Sequence, residues 1–387
     1  MTSNHKPFRL GLLTTLNTNI GDDFIREGLL SVVRDLIGSD HLKCEAVNKH
    51  KPNTVYPVWH PIRHLYAKGI IQRPKLRFLR KPIERWVPPL GFSRFHNCDL
   101  ILQCGTPILW EGCRNSEWAI LIWRDVLAQL QRIRRPVLNL GGGSCYGWEK
   151  LPTTLLGSED EEFVRLMLNA ASVTTVRDRL SQQLFATLGF QTPRICCPAI
   201  LAGQAFAKPA VATRKVVLNY MKGGGHFDFG QSINAQEWEE TMRSFIIRLK
   251  QDGWEPVFLA HNQQEEKLAA RIWPDLPRVC PAGIAEYFEV VRQAAFGVFN
   301  RMHASVAAAG LGVPSVAIGN DSRNLMVEAL GLPALYTKDA TVGRLWDSIQ
   351  SLISNHDAES RRLLELRHKT FEQYKEILRP YLPAADA

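Results

Sequence analysis

Along the chain, short apolar runs alternate with amphipathic stretches, separated by glycine or polar turns. Strand-length apolar runs followed by helical periodicity predict βαβ units and parallel sheets. Residues 8–16 read as a first strand and 22–37 as the helix after it, joined by the loop Asn17-Thr-Asn-Ile-Gly-Asp-Asp. Runs at 99–104, 136–140, 172–176 and 194–197 read as later strands of the same sheet. Helices are expected between them at 117–133, 159–171 and 178–188. The Ala- and Pro-rich stretch 198–214 reads as a linker. A second alternation follows, with strands at 215–220, 256–260, 296–299 and 315–318, and helices at 236–251, 263–272, 284–292, 303–310 and 322–330. Residues 357–381 read as one long charged helix that packs back on the first domain. The expected architecture is α/β: two Rossmann-like domains facing a cleft, divided as 1–200 and 201–355, with 356–387 as the returning helix.

Bulk properties narrow the class. The 387 residues, 45% hydrophobic, suit two domains. No apolar run reaches the roughly 18 residues that span a bilayer. Asn4, His5, Lys6 and Arg9 interrupt any leader-like core at the start, so a cytoplasmic protein is expected. None of the eight cysteines forms a Cys-x-x-Cys pair, and no convincing Asp-x-Asp appears. No metal site is therefore expected, and the thiols read as small buried hydrophobes. Residues 1–150 carry 22 Lys and Arg against 12 Asp and Glu, whereas the remainder is nearly balanced. The excess concentrates in 58–95, where Arg63, Arg73, Arg77, Arg80, Lys81 and Arg85 interleave with Trp59, Phe78, Trp86 and Phe92. This stretch reads as a surface excursion between strands. Its sharper reading is peripheral contact with an anionic membrane at the inner face, or with a phosphorylated, lipid-linked acceptor. No recognition motif for nucleic acid accompanies the charge.

Candidate chemistry sits at the ends of strands. Arg177 follows the run Ser172-Val-Thr-Thr-Val and precedes a helix; Arg301 follows Phe296-Gly-Val-Phe-Asn and precedes another. In parallel sheets, ligands bind beyond the carboxyl ends of strands, where helix N-termini also point. Guanidiniums placed there suit a carboxylate or a phosphate. His303 begins the helix after Arg301. A nearby arginine and a helix N-terminus should lower its pKa, and a bound dianion should restore it toward the range of a general acid. His261, ending strand 256–260, is a candidate donor contact. Gly141 and Gly142, read as the end of a strand, could let a ligand approach the backbone. Lys222-Gly-Gly-Gly-His226 could form an anion loop, although neither Gly-x-Gly-x-x-Gly nor Gly-Lys-Ser/Thr spacing is present.

The block Asn300-Arg-Met-His-Ala-Ser-Val-Ala-Ala-Ala-Gly-Leu-Gly-Val-Pro, together with Val176-Arg-Asp-Arg-Leu-Ser, resembles the polysaccharide pyruvyl transferase family. The Asn19-Ile-Gly-Asp-Asp loop is similar to that family's opening motif, and Asp99-Leu-Ile-Leu-Gln-Cys-Gly to its Asp-led strand. Leu330-Gly-Leu-Pro follows in order. Two departures are visible: the Asp-led strand ends in Cys104-Gly105-Thr106-Pro107 rather than a glycine run, and Met302 stands where leucine is common. The resemblance implies a GT-B-like fold and phosphoenolpyruvate as donor substrate, with no cofactor. It also implies a sugar diol of a cell-surface polysaccharide precursor as acceptor, giving a pyruvate ketal. It assigns Arg177 and Arg301 to the donor's two anionic groups, leaving open which takes which. It makes His303 the general acid, Asp99 the group orienting or deprotonating an acceptor hydroxyl, and Gly105 part of the donor pocket. A GT-B-type glycosyltransferase using a nucleotide sugar, and a non-catalytic relative, are the alternatives on the same architecture.

Overall fold

The computed structural model describes residues 6–16, 19–67, 93–105, 107–116, 118–206 and 213–383. The basic excursion 58–95 falls largely outside them. Of its described ends, Val58 and Trp59 are exposed and Phe95 is fully buried.

Two all-parallel sheets organise the chain. In the first, β1 (Phe8–Thr14) lies between β2 (Leu42–Asn48) and β3 (Leu100–Cys104). Next comes β5 (Val137–Ser144), which pairs with β3, then with the short β4 (Pro107–Leu109), and on its other side with β6 (Val173–Val176). The second sheet contains β7 (Lys215–Leu218), β8 (Glu255–Leu259), β9 (Arg278–Val279), β10 (Phe296–Phe299), β11 (Ser315–Gly319) and β12 (Ala334–Tyr336). Its spatial order is β12-β11-β10-β7-β8-β9. Strand order therefore reverses between β1 and β3 in one sheet and between β7 and β10 in the other. At such switch points the loops diverge to opposite faces and leave a crevice.

The inner strands form because they are short, β-branched or leucine-rich, and buried on both faces; β3, β5, β10 and β11 are buried at every position. Several helices start on side-chain caps. Asn19 accepts from Gly21 N at the head of α1 (Ile20–Ile37), and Asn262 from Glu265 N at the head of the helix Gln263–Ile272.

The stretch expected to be a linker is more than that. Pro198–Leu201 is a buried 3₁₀ turn clasped between helices from both domains. Gly28 of α1 lies against the Pro198 carbonyl, and Gly310, at the end of the helix Met302–Gly310, lies against the Ile200 carbonyl; a Cβ at either would collide with it. The apolar character of Pro-Ala-Ile-Leu explains why it is interior. Gly141–Gly143, expected to end a strand, instead lie within β5, which runs on to Ser144. Of the expected strand 194–197, Arg194 alone pairs, bridging to Val176.

The long final helix His356–Leu378 returns to the first domain, where Tyr374 donates its hydroxyl to Cys196 O (3.1 Å) and Lys375 pairs with Asp35 (2.8 Å). On the far side of the crevice a second set of contacts joins the domains. Ser144 and Ser322 share a 2.8 Å hydroxyl bond, Tyr146 and Ser322 exchange hydrogen bonds, and Tyr336 and Lys338 both donate to Glu149 at 2.8 Å. No helix among the described residues is long and apolar enough to cross a membrane.

Candidate active site

The crevice holds a cavity of about 720 Å³ walled by both domains. Its second-domain wall is set by two asparagines. Asn219, just past β7, accepts from the backbone N–H of Asn300 (2.7 Å) and of Arg301 (3.0 Å). Asn300 in turn accepts from Met221 N and donates to Ile318 O. Three strand ends are thereby tied together, and the chain leaving β10 turns so that Arg301 and His303 face the first domain.

From that domain Arg177, just past β6, reaches across. Its N–H donates to Gly142 O (2.9 Å), and its guanidinium lies over Gly143, where a Cβ would strike Nε. Arg177 Nη1 then donates to His303 Nε2 at 2.9 Å. An arginine has donors only, so Nε2 accepts and the imidazole proton sits on Nδ1. That nitrogen faces Gly21, in the first turn of α1. The neighbouring Asp178 caps its own helix through Ser181 N and accepts from Ser144, fixing the strand end that carries Arg177.

Two further guanidiniums line the cavity beside His303. Arg301 is held by Glu265, with Nε donating to Oε1 at 2.8 Å. Arg323 grips Asp321 in the two-pronged manner (2.8 and 2.6 Å). Both are thus aimed before any ligand arrives. Burial, reinforced by Arg177, Arg323, His261 and Arg301, holds His303 well below the usual imidazole range. It is neutral in the empty site. His226, on the loop after β7, is likewise pushed down to about 4 by burial and the Arg301 charge.

The first-domain wall is different in kind. Trp110 and Trp118 meet edge to face at 5.7 Å, and Lys49 Nζ lies 5.4 Å over the Trp118 ring. Asp22, from the first turn of α1, and His50 complete this side, with Phe227 and Phe229 opposite.

The structure brings together some of the expected residues and separates others. Arg177, Arg301 and His303 converge, although Arg177 lies behind His303, 1% exposed, and is not part of the cavity wall. Asp99 does not converge. It lies at the amino end of β3, where it accepts from Arg9 N (2.8 Å), at the opposite end of the sheet from the crevice. Gly105 is packed against the Gly141 carbonyl, Gly141 against Pro198, and Gly142 against Ile108, so these glycines serve backbone approach inside the sheet rather than ligand approach. Gly141 also has φ +69°, a conformation that side chains disfavour. His261 is buried, bonded through Nε2 to Tyr287 Oη (3.2 Å), and lines a small space of about 20 Å³ behind Arg301 and His303. In the glycine loop, Gly224 and Gly225 pack on Thr337 and Asn320, and His226 reaches the cavity. Arg323, Lys49 and the Trp110–Trp118 pair were not singled out from sequence, and Asp22 entered only as part of the Asn19-Ile-Gly-Asp-Asp loop. Among the described residues, no cluster of three metal-ligating side chains occurs.

The model of the family described as polysaccharide pyruvyl transferase matches residues 19–322. The chain belongs to that family. The matched span includes both strand-end arginines, His303 and the opening Asn19-Ile-Gly-Asp-Asp loop of this pyruvyl transferase family member. Solved structures agree on the fold. The UDP-GlcNAc 2-epimerase from Neisseria meningitidis, bound to UDP-GlcNAc, superposes with a TM-score of 0.53 and 10% identity over 96% of this chain and 98% of that one. The S. aureus MnaA–UDP structure gives 0.55 and 10% over 98% and 100%. The pyruvyl transferase family member thus has a GT-B-type fold. No curated protein matches its sequence.

Proposed function

We propose that this protein transfers the pyruvyl group of phosphoenolpyruvate to two hydroxyls of a saccharide, releasing phosphate and leaving a pyruvate ketal. The observation that carries the reading is the 2.9 Å contact between Arg177 and His303 at the back of a cavity lined by Arg301 and Arg323. A carboxylate and a phosphate on one small molecule call for two cationic grips. Arg301 and Arg323 are on the wall to provide them, with Arg177 holding the imidazole in place between them.

His303 has the right resting state for this chemistry. Burial and the surrounding guanidiniums favour its neutral form, and an arriving dianion offsets them, recharging it. The imidazolium then delivers a proton to the methylene carbon as the first sugar hydroxyl adds to the neighbouring carbon. Such acid catalysis contributes roughly 10²- to 10⁴-fold. The Trp110–Trp118 side of the cavity offers aromatic faces for a sugar ring.

The carboxylate beside Arg301, Glu265, is taken up by Arg301 and by His261 N (2.9 Å), so in the second domain it is not free for the ribose hydroxyls that a nucleotide-sugar glycosyltransferase would bind. Incubation with phosphoenolpyruvate and a panel of saccharides tests the proposal, with phosphate release as the readout. Release that needs both a saccharide and an intact His303 supports it. No release with any saccharide, alongside turnover of a nucleotide sugar, overturns it.

A further inference from the structure

Ketal formation removes protons from two hydroxyls, and the reading above, on which this inference rests, provides a proton donor but no acceptor. Asp99 is at the wrong end of the sheet. A different carboxylate does reach the cavity. Asp22 projects from the first turn of α1, directly after Gly21, whose Cα faces the His303 ring. It lines the cavity together with Trp118, Arg301 and Arg323. Lys49, 1% exposed, lines it too, just past the carboxyl end of β2 and over the Trp118 ring.

We infer that Asp22 is the general base that takes the proton of the attacking acceptor hydroxyl. The position suits that role, because Asp22 lines the same cavity as Trp118, Arg301, His303 and Arg323, one residue past the Gly21 that abuts the His303 ring. Groups facing Asp22 come from every element around it: Lys49 and His50 after β2, Arg177 after β6, Cys197 before the 3₁₀ turn, Asp23 on its own helix, and His303 and Arg323 from the second domain. Burial raises the Asp22 carboxyl above its ordinary range, and Lys49 and Arg177 partly offset this. Lys49 itself is lowered to about 8, chiefly by burial.

The protons then balance. In the first step the hydroxyl proton passes to Asp22, the oxygen bonds to the phosphate-bearing carbon, and the double-bond electrons take a proton from imidazolium His303. In the second step the bond to the phosphate oxygen breaks and the departing phosphate leaves with the proton from Asp22. The second hydroxyl bonds to the same carbon and gives its proton to the now neutral His303. Carboxylate and imidazolium are both restored.

The test uses the full chain, phosphoenolpyruvate and whichever saccharide the wild type accepts. Asp22→Asn should bind phosphoenolpyruvate at least as tightly as the wild type by calorimetry, because the lost charge opposed an anion. It should turn over roughly 10²- to 10⁴-fold more slowly and lack the acid limb of the kcat/KM profile. Lys49→Met should keep that limb but move it to higher pH, since removing the cation raises the Asp22 pKa. Full turnover in Asp22→Asn overturns the inference, as does loss of phosphoenolpyruvate binding, which would place Asp22 in donor binding. If Asp22→Asn does not fold, the Lys49→Met profile decides: an unmoved acid limb overturns it. A wild type that releases no phosphate with any saccharide refutes the pyruvyl-transfer reading instead.

Discussion

Arg177 of the first domain donates Nη1–H to Nε2 of His303 in the second, 2.9 Å away and 126 residues on in the chain. This bond crosses the crevice, fixes the imidazole tautomer and adds a positive charge beside it. Replacing Arg177 with Lys keeps the charge but loses the planar donor. Hydrogen bonds to charged groups contribute about 1.5–3 kcal/mol, so turnover should fall roughly 10- to 100-fold, more than donor affinity does. Nitrogen-15 NMR of labelled histidine checks the cause: wild-type His303 should carry its proton on Nδ1, and the variant should populate both tautomers.

Donor binding should take up a proton. His303 lies well below its ordinary value in the empty site, and a bound dianion raises it. Between those two values the complex holds a proton that the free protein lacks, so affinity for phosphoenolpyruvate should rise as pH falls through that window. Calorimetry in buffers of differing ionisation heat should report net uptake, and His303→Gln should abolish it.

Arg323 should matter as much as Arg301 to the donor. Arg323→Met removes a preset guanidinium from the cavity wall and should weaken phosphoenolpyruvate binding roughly 10- to 100-fold. Asp321→Asn, which leaves the guanidinium charge but loosens its two-pronged support, should weaken binding less. Equal affinity in wild type and Arg323→Met would remove Arg323 from the donor site.

The clasped turn predicts a stability effect without a direct chemical one. Gly28→Ala puts a methyl group against the Pro198 carbonyl, and overpacking of this sort typically costs about 1–3 kcal/mol. Thermal unfolding should occur at lower temperature. Because Pro198–Leu201 ties both domains, a single unfolding transition should shift as a whole.

Much of this arrangement was readable from the chain. Strand 296–299 and helix 263–272 stand in the structure as the apolar period drew them, since both are short, regular and capped by clear polar signals. Arg177, Arg301 and His303 were legible because each adjoins a strand end, where the fold class itself directs ligands. Asp99 misled for the converse reason: it begins a strand, and beginnings of parallel strands point away from the crevice. β2 has the mixed sequence Leu-Lys-Cys-Glu-Ala-Val-Asn of a half-exposed edge, without clean alternation, so Lys49 after it went unseen. Arg323 and the Trp110–Trp118 wall sit on loops whose mutual placement depends on how two sheets face each other. Pro198–Leu201 looked like a linker because proline and alanine are common in both surface turns and tight interior ones.

The central claim is that His303 delivers a proton to the methylene carbon of phosphoenolpyruvate while a saccharide hydroxyl adds beside it. The direct measurement is proton and carbon NMR of the saccharide product formed in D₂O. The product should contain a ketal methyl group carrying one deuterium, formed with one phosphate per ketal and absent with His303→Gln. A product that retains the methylene group as an enol ether, or a glycosidic bond formed without consuming phosphoenolpyruvate, would contradict it.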